Sequence, residues 1–398
     1  MYHLTKENLY NDLLHAYEKA QLHKKNKLYV KQFQVNYKEN LNELCDGLYN
    51  KTYKPSPSSC FIINHPKKRE IFAAQFIDRI VHHLYFDYTH ELYERSFIAD
   101  SYSCIKDKGT HYGINRLKHH ILQESQNYTK ECYVLKMDIK GYFIHINRKK
   151  LLEISAKQLN KLKTHISNNG LKYEDYLDFD FIHYLNEIII LLTPTLNCHL
   201  QSPRFEWLEL PKSKSLFHTK ENCGLPIGNL TSQLLSNVFL NELDQFIKRE
   251  LKCKHYGRYV DDFYIVSCDK SFLHEIVPKI KIFLKEKLDL DINDGKTRII
   301  NVKHGVEFLG AFIKPYRTYI SNSTLSRIKK QLFKLQKDGV NKDPTNSINS
   351  FLGVFKHYSS FNVRKELFTQ ITVLCKYGCF NQEFTKFIPH SKINKHIN

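Results

Sequence analysis

Apolar positions recur at helical spacing near the N-terminus. Leu9, Leu13, Leu14 and Tyr17 share one side of a segment that Thr5 can cap, and Leu41, Leu44 and Leu48 repeat the pattern, so residues 4–50 read as helical. The basic cluster His23-Lys-Lys-Asn-Lys27 lies between them. Two prolines make residues 53–59 a loop. Residues 60–63 and 71–74 read as short strands around a charged turn at 66–70, and 76–96 as a helix. Residues 131–139 alternate, with Tyr133, Leu135 and Met137 on one face and Val134, Lys136 and Asp138 on the other; this is a strand whose end presents Asp138. Helical segments follow to about 193. Residues 194–223, which hold the single tryptophan Trp207, read as irregular and insert-like. A glycine-bounded loop, 224–228, leads into a helix through about Leu251 with a buried stripe of Leu235, Phe239, Leu243 and Phe246. A helix over about 271–288, a strand near 298–302 and the apolar stretch 306–312 follow. Residues 315–319 read as a boundary. Beyond it Leu325, Ile328, Leu332 and Leu335 form a stripe interleaved with Lys329, Lys330, Lys334 and Lys337. The mixed order of strands and helices predicts an α+β fold.

One feature departs from this ordinary patterning. Asp261 and Asp262 are adjacent within the β-prone stretch Arg258-Tyr-Val-Asp-Asp-Phe-Tyr-Ile-Val266. Like charges repel and aspartate is a poor strand former. The pattern makes physical sense if the acids form a hairpin tip and a divalent cation neutralises them. Two metal ions for phosphoryl transfer require carboxylates from more than one strand, and magnesium prefers hard oxygen ligands. Asp138 at a strand end is the candidate partner of the doublet. The competing reading is a pair of solvated turn acids and an unrelated strand-end aspartate.

Composition narrows the partners. The 398 residues carry 60 Lys and Arg against 41 Asp and Glu, a formal charge of +19, and over half of that excess lies in residues 311–398, where 15 cations meet 4 anions. A surface this basic attracts polyanions, with nucleic acid foremost. The 25 Tyr and 26 Phe supply stacking surfaces, although most belong in the core. Ten cysteines show no metal-ligand spacing and read as reduced. The N-terminus lacks the apolar core of a signal peptide, and the longest aliphatic run, Ile188-Ile-Ile-Leu-Leu192, is too short to span a bilayer. The expectation is a cytoplasmic protein with no membrane partner.

The ordered motifs Asp138-Ile-Lys-Gly-Tyr-Phe143, Gly224-Leu-Pro-Ile-Gly-Asn-Leu-Thr-Ser-Gln233, Tyr259-Val-Asp-Asp262, Lys296 in Asp294-Gly-Lys-Thr, and Gly305-Val-Glu-Phe-Leu-Gly310 resemble those of reverse transcriptases over about residues 50–312. The resemblance implies a right-hand polymerase of fingers, palm and thumb, with an antiparallel palm sheet, a helical C-terminal region and RNA-directed DNA synthesis. It implies N-terminal helices and fingers in 1–130, a palm in 131–312 and a basic thumb in 313–398. By motif, Asp138 and Asp261 would bind two Mg2+ ions, with Mn2+ as an alternative, and Asp262 would be the less directly coordinating neighbour. Phe143 would sit under the sugar and clash with a 2′-hydroxyl. Lys67 and Arg69 match the fingers cations that grip the triphosphate, and a guanidinium suits phosphate best. Gly228 would let backbone approach the template strand, Gln233 would stand near the nascent pair, and Lys296 would protonate the departing pyrophosphate. Lys106 and Lys108 are template-contact candidates, and Lys329, Lys330, Lys334 and Lys337 would lie on a duplex backbone. His82 and His83 read as structural.

Ile227 occupies the position at which retroviral polymerases carry Gln in Leu-Pro-x-Gly. This loop resembles that of diversity-generating retroelement enzymes and of the bacterial unknown-group, defence-associated reverse transcriptases. The latter are favoured by the segment 194–223 and the long basic C-terminal region. The expected partners are deoxynucleoside triphosphates, a DNA product and an RNA template that is a structured noncoding RNA; a homo-oligomer is left open. Two other readings stay open: error-prone copying in a retroelement, and a non-catalytic RNA-binding scaffold.

Overall fold

A computed structural model of the chain describes residues 4–64, 67–169, 177–338 and 343–390. Three helices, α1 (Lys6–Gln21), α2 (Leu28–Val35) and α3 (Tyr37–Tyr49), precede strands β1 (Ser58–Ile63) and β2 (Arg69–Ala73). Helices α4 (Phe76–Glu94) and α5 (Thr110–Glu124) lead to β3 (Tyr133–Asp138). Next come α6 (Tyr142–His145), α7 (Arg148–Asn169), α8 (Phe179–Leu191), β4 (Cys198–Leu200), α9 (Phe205–Leu208) and α10 (Leu230–Gln245). Strands β5 (His255–Tyr259) and β6 (Asp262–Ser267) are followed by α11 (Lys270–Leu288), β7 (Arg298–Asn301), β8 (Val306–Phe308), β9 (Ala311–Lys314) and β10 (Arg317–Ile320). The chain continues through α12 (Asn322–Asp338), α13 (Thr345–Phe355), α14 (Phe361–Thr369), β11 (Gly378–Phe380) and β12 (Phe387–Pro389). The fold is α+β, in agreement with the sequence reading.

The chain forms two compact units: residues 1–109, 137–264 and 274–297 make the first, and residues 110–136, 265–273 and 298–398 the second. A four-stranded sheet has the order β5-β6-β3-β7.

In the first unit, α1 starts at the cap read from the sequence. Thr5 Oγ1 accepts from the Asn8 amide at 3.2 Å to cap α1. Leu9, Leu13, Ala16 and Tyr17 are buried. The centre of the unit is α10, which is buried nearly all round rather than along a stripe. Phe246 is only half-buried and belongs to a π-helical turn, Phe246–Glu250. The wide burial of α10 was hidden by its polar residues, three of which find partners on other elements. Thr231 meets His82, Asn237 donates to the Ser103 carbonyl at 2.8 Å, and Asn241 donates to Ser96 at 3.2 Å.

Residues 194–223 are not wholly irregular. β4 pairs in parallel with β1, from Ser58 opposite Cys198 to Cys60 opposite Leu200, and completes a sheet of order β2-β1-β4. Three residues are too few to display alternation, so the strand left no mark in the sequence pattern. The segment is fastened by Glu70, whose buried carboxylate accepts from Trp207 Nε1 (2.7 Å), Ser215 Oγ (2.8 Å) and the Leu216 amide (2.6 Å). Arg69 and Glu70, read as part of a turn, are the first residues of β2.

The second unit has its own core. Ile328 and Leu332 of α12 pack with Ile348, Leu352, Phe355, Leu367 and Phe368 from the helices that follow. Each such burial contributes roughly 1.5–3 kcal/mol. Residues 315–319 are not a boundary: Pro315 and Tyr316 form the turn between β9 and β10, where proline needs no ladder hydrogen bond. The C-terminal region is helical as expected, but it ends in an antiparallel pair, β11 and β12.

His82 Nδ1 lies 2.8 Å from Thr231 Oγ1, bridging α4 and α10. Burial first, then the charges of His83 and Arg79, lowers its pKa to about 4. An unfolded histidine takes up a proton near pH 6.5, whereas the folded one resists until about pH 4. The stability it contributes is therefore complete above pH 6.5 and is lost as pH falls toward 4, by about 3 kcal/mol in full. His82→Gln is expected to flatten the decline in urea-denaturation stability over that window. An acid limb as steep as in the unaltered protein would count against this account.

Candidate active site

The β5–β6 turn is held from inside the first unit. Arg258 of β5 and Asp244 of α10 are both fully buried and form a bidentate ion pair. Nε donates to Oδ1 at 2.8 Å and Nη2 to Oδ2 at 2.6 Å. The Tyr256 hydroxyl donates to the same Oδ1 at 2.6 Å. Burial alone would lower the guanidinium pKa, but the charge and hydrogen bonds of Asp244 outweigh it and raise the value. The remaining nitrogen, Nη1, donates to Asn237 Oδ1 at 3.1 Å and to the Val260 carbonyl at 3.0 Å.

That last bond sets the aim of the site. Val260 has φ +55°, in the left-handed region that β-branched residues avoid. The Arg258 fork holds its carbonyl, and the next residue is Asp261. A second strut lies along β5. The Arg258 amide donates to the Asp100 carbonyl at 2.9 Å and the Tyr102 amide to the Arg258 carbonyl at 3.0 Å. The Tyr102 and Tyr264 hydroxyls meet at 2.7 Å over Gly257, where a Cβ would lie 2.1 Å from the Tyr102 oxygen. Only glycine fits beneath this pair.

Asp138 reaches the same point from β3. The Ile139 amide donates to the Asp261 carbonyl at 3.3 Å, and the Asn293 amide donates to the Asp138 carbonyl at 2.8 Å. The two acids thus lie on adjoining backbones although far apart in sequence. Burial, followed by the charge of Asp138 and then of Asp262, raises the Asp261 pKa to about 6. Lys296, on a 3-10 turn, places Nζ 2.8 Å from Asp138 Oδ2. Burial would lower the Lys296 pKa, but the hydrogen bond to Asp138 and the charges of Asp138, Asp261 and Asp262 raise it.

The other residues singled out in the sequence are placed as follows. Phe143 is half-buried in α6, its ring 5.4 Å from that of Tyr142, and its carbonyl accepts from the Leu225 amide at 2.8 Å. Gly228 has φ +129°, and a Cβ there would lie 2.9 Å from Ile71 and 3.2 Å from the Phe72 carbonyl. The Phe72 amide bonds to Ile227 (3.0 Å) and the Ala74 amide to Asn229 (3.1 Å), so the loop before α10 is hemmed to β2. Gln233 accepts from the Cys104 thiol at 3.2 Å. Lys67 and Arg69 are exposed; it is Lys68 that is paired, with Glu209 at 2.6 Å. Lys106 is exposed, and Lys108 donates to the Ala99 carbonyl at 2.7 Å. In the second unit Lys329, Lys330, Lys334 and Lys337 are all exposed on α12. Among the described residues no hydrogen bond or ion pair joins Lys67, Arg69, Phe143 or Gln233 to Asp138 or Asp261.

The positioning roles of Arg258, Asp244, Gly257 and Glu70 were not legible in the sequence. Arg258 heads the β-prone stretch that carries the acid doublet, whereas Asp244 stands beside Glu242 and Gln245 and nothing local marks it.

Among the described residues no group of three His, Cys, Asp or Glu side chains is placed to hold a metal ion alone. Two neighbouring carboxylates offer hard oxygen donors, and Asp138 already draws the Lys296 ammonium to itself. This donor set fits a divalent cation whose remaining ligands come from phosphate and water.

Arg258→Met would leave Asp244 buried and unpaired, and is expected to cost about 3–5 kcal/mol by chemical denaturation. Adding Asp244→Leu removes the orphaned charge and is expected to recover more than half of that loss. A single variant within about 1 kcal/mol of the unaltered protein would contradict the assignment.

Comparison with known proteins bears on what such a site does. Residues 66–313, more than half of the chain, match the reverse transcriptase (RNA-dependent DNA polymerase) family. Protein YkfC of Escherichia coli (strain K12) is 23% identical over 305 residues, covering 68% of this chain and 70% of its own. Among solved structures, apo telomerase from Candida Tropicalis truncated from its C-terminal domain matches with TM-score 0.46 and 15% identity, over 71% of this chain and 60% of that one. Telomerase from Candida albicans in complex with a TWJ fragment of telomeric RNA matches with TM-score 0.43 and 14% identity, over 87% of this chain and 62% of that one. The chain thus spans less than two thirds of these telomerase chains. The acids that meet at the end of β3 and the turn before β6 lie inside the matched region, and the chain belongs to the reverse transcriptase family.

Proposed function

We propose that the chain is an RNA-directed DNA polymerase and that Asp138, Asp261 and Asp262 form its reacting centre. The observation that carries this reading is the meeting of Asp138 and Asp261 on adjoining backbones, joined by the Ile139–Asp261 hydrogen bond. A pair of divalent cations, Mg2+ by the hardness of the donors, would activate the 3′-hydroxyl and hold the triphosphate. Asp138 and Asp261 are the holding carboxylates, with Asp262 alongside. Lys296, ion-paired with Asp138, is the proton donor to the departing pyrophosphate. Arg69 and Lys67, exposed at β2, grip the triphosphate. The Phe143 ring, backed by Tyr142, excludes a 2′-hydroxyl. The Gly228 backbone and Gln233 face the nascent pair. Lys106 and Lys108 contact template, and the α12 lysines lie on duplex backbone.

In this reading fingers, palm and thumb divide near residues 130 and 312. The template is a structured noncoding RNA copied in antiphage defence. Two features support that role: the charge of +11 over residues 311–398, and the anchoring of segment 194–223 to β2 through Glu70. Ile227 favours a second reading, error-prone copying in a diversity-generating retroelement, because it removes a polar group from the loop that carries Gly228.

Purified protein with its copurifying RNA is expected to incorporate deoxynucleotides in the presence of Mg2+. Asp138→Asn and Asp261→Asn should each reduce incorporation roughly a thousandfold or more while the chain stays folded. Synthesis retained in either variant would overturn the assignment. Phe143→Ala should admit ribonucleotides roughly tenfold better. Phage plating separates enzyme from scaffold: full protection by Asp261→Asn would favour a non-catalytic RNA-binding role. Sequencing the copurified RNA separates defence from diversification.

A further inference from the structure

The β9–β10 hairpin carries a face for which the polymerase reading has no use. On its inner side Ala311, Ile313 and Ile320 are buried, with Thr318 opposite Ile313. On its outer side Lys314 stands directly opposite Arg317, and Tyr319 stands opposite Phe312. Like charges set across neighbouring strands destabilise a hairpin. Neither cation is paired with a carboxylate among the described residues. The acid on that face, Glu307, accepts from Ser323 Oγ at 2.6 Å. Lys314 instead covers the Phe312 ring, 5.8 Å from its centroid, and a Cβ at Gly305 would lie 2.4 Å from the same ring.

The tip adds two more rings. Tyr316 is 81% exposed and has φ +63°. Its ring meets that of Tyr128 at 4.8 Å and 61°. Tyr128 has φ +67° and is the last of three successive left-handed residues, Gln126, Asn127 and Tyr128, fixed by its amide on Ser125 Oγ at 2.9 Å. Glycine or asparagine suits such positions better than an aromatic residue does. Burial does not offset the cost at Tyr316, because its side chain stands in water. Lys130 is exposed beside this loop.

One ring standing in solvent, two partly exposed rings beside it and cations facing one another without counter-charge have one common complement, a polyanion with flat apolar faces. We propose that Tyr128, Tyr316 and Tyr319, with Lys314 and Arg317, form a binding surface for single-stranded RNA, in which bases stack on the tyrosines and phosphates pair with the two cations. A duplex does not fit, because its bases are already stacked and present no free face. The choice of RNA over DNA rests on the polymerase reading; the surface itself does not.

The test uses the full chain and a fluorescein-labelled oligouridylate carrying 4-thiouridine. Tyr316→Asn suits the left-handed turn, so its melting temperature should equal or exceed that of the unaltered protein. Its affinity for the oligouridylate should fall about fivefold or more. Lys314→Gln with Arg317→Gln should reduce the slope of log affinity against log salt by about 1.4. Photocrosslinks should map to peptides containing Tyr128 or Tyr316. Unchanged affinity and slope, crosslinks confined to other peptides, or an equal loss on a blunt RNA duplex would each overturn the proposal. An equal loss on oligothymidylate would overturn its assignment to RNA. DNA synthesis on a short primed template should survive Tyr316→Asn and fail in Asp138→Asn, so the failure of one reading is distinguishable from failure of the other.

Discussion

A guanidinium and a carboxylate sealed together inside the first unit govern the geometry of the candidate centre. Arg258 and Asp244 bring two charges out of water, a step that is unfavourable unless every lone pair and proton is engaged. Here Asp244 receives the fork and the Tyr256 hydroxyl, while the fork also reaches Asn237 and the Val260 carbonyl. The pair therefore does more than join α10 to β5. It fixes a left-handed residue immediately before Asp261, and so decides where that carboxylate can be. Hydrophobic residues of equal volume would hold the helix to the strand, but they would not grip a carbonyl.

The same helix serves at both ends. Its last turns carry Asp244, and its first turn follows the loop that Phe72 and Ala74 bind through Ile227 and Asn229. Buried Thr231, Asn237 and Asn241 keep α10 in one rotational setting, because each has a specific partner and a small rotation would orphan all three at once. The loop containing Gly228 and the turn containing Asp261 are thus set by one rigid element. Glu70 extends the arrangement by tying residues 207–216 to β2, the strand on which that loop rests.

The acids were legible in the sequence because each lies where local pattern is broken: Asp138 ends an alternating strand, and Asp261 and Asp262 interrupt a β-prone run. The stripes of α1 and α12 were legible for the same reason, a single period with one buried face. What escaped reading depends on partners distant in sequence. Nothing near Arg258 announces Asp244, and nothing near Glu70 announces Trp207. β4 is shorter than the alternation that would identify it, and its pairing with β1 joins residues far apart in the chain. Pro315 seemed to end a domain but only turns a hairpin, since a proline in a tight turn and one in a linker look alike without the strands on either side. The breadth of α10 was masked by serines, threonines and asparagines that read as solvated until their buried partners are known.

Val260 shows how such a turn responds to selection for robustness. A glycine there would relieve the unfavourable backbone setting and could be welcomed by any screen that rewards heat tolerance alone. It would also let the peptide between Val260 and Asp261 swing, so that the carboxylate samples orientations the valine forbids. Durability and aim are opposed at this single position, and an engineer seeking a hardier enzyme should look for gains elsewhere in the chain.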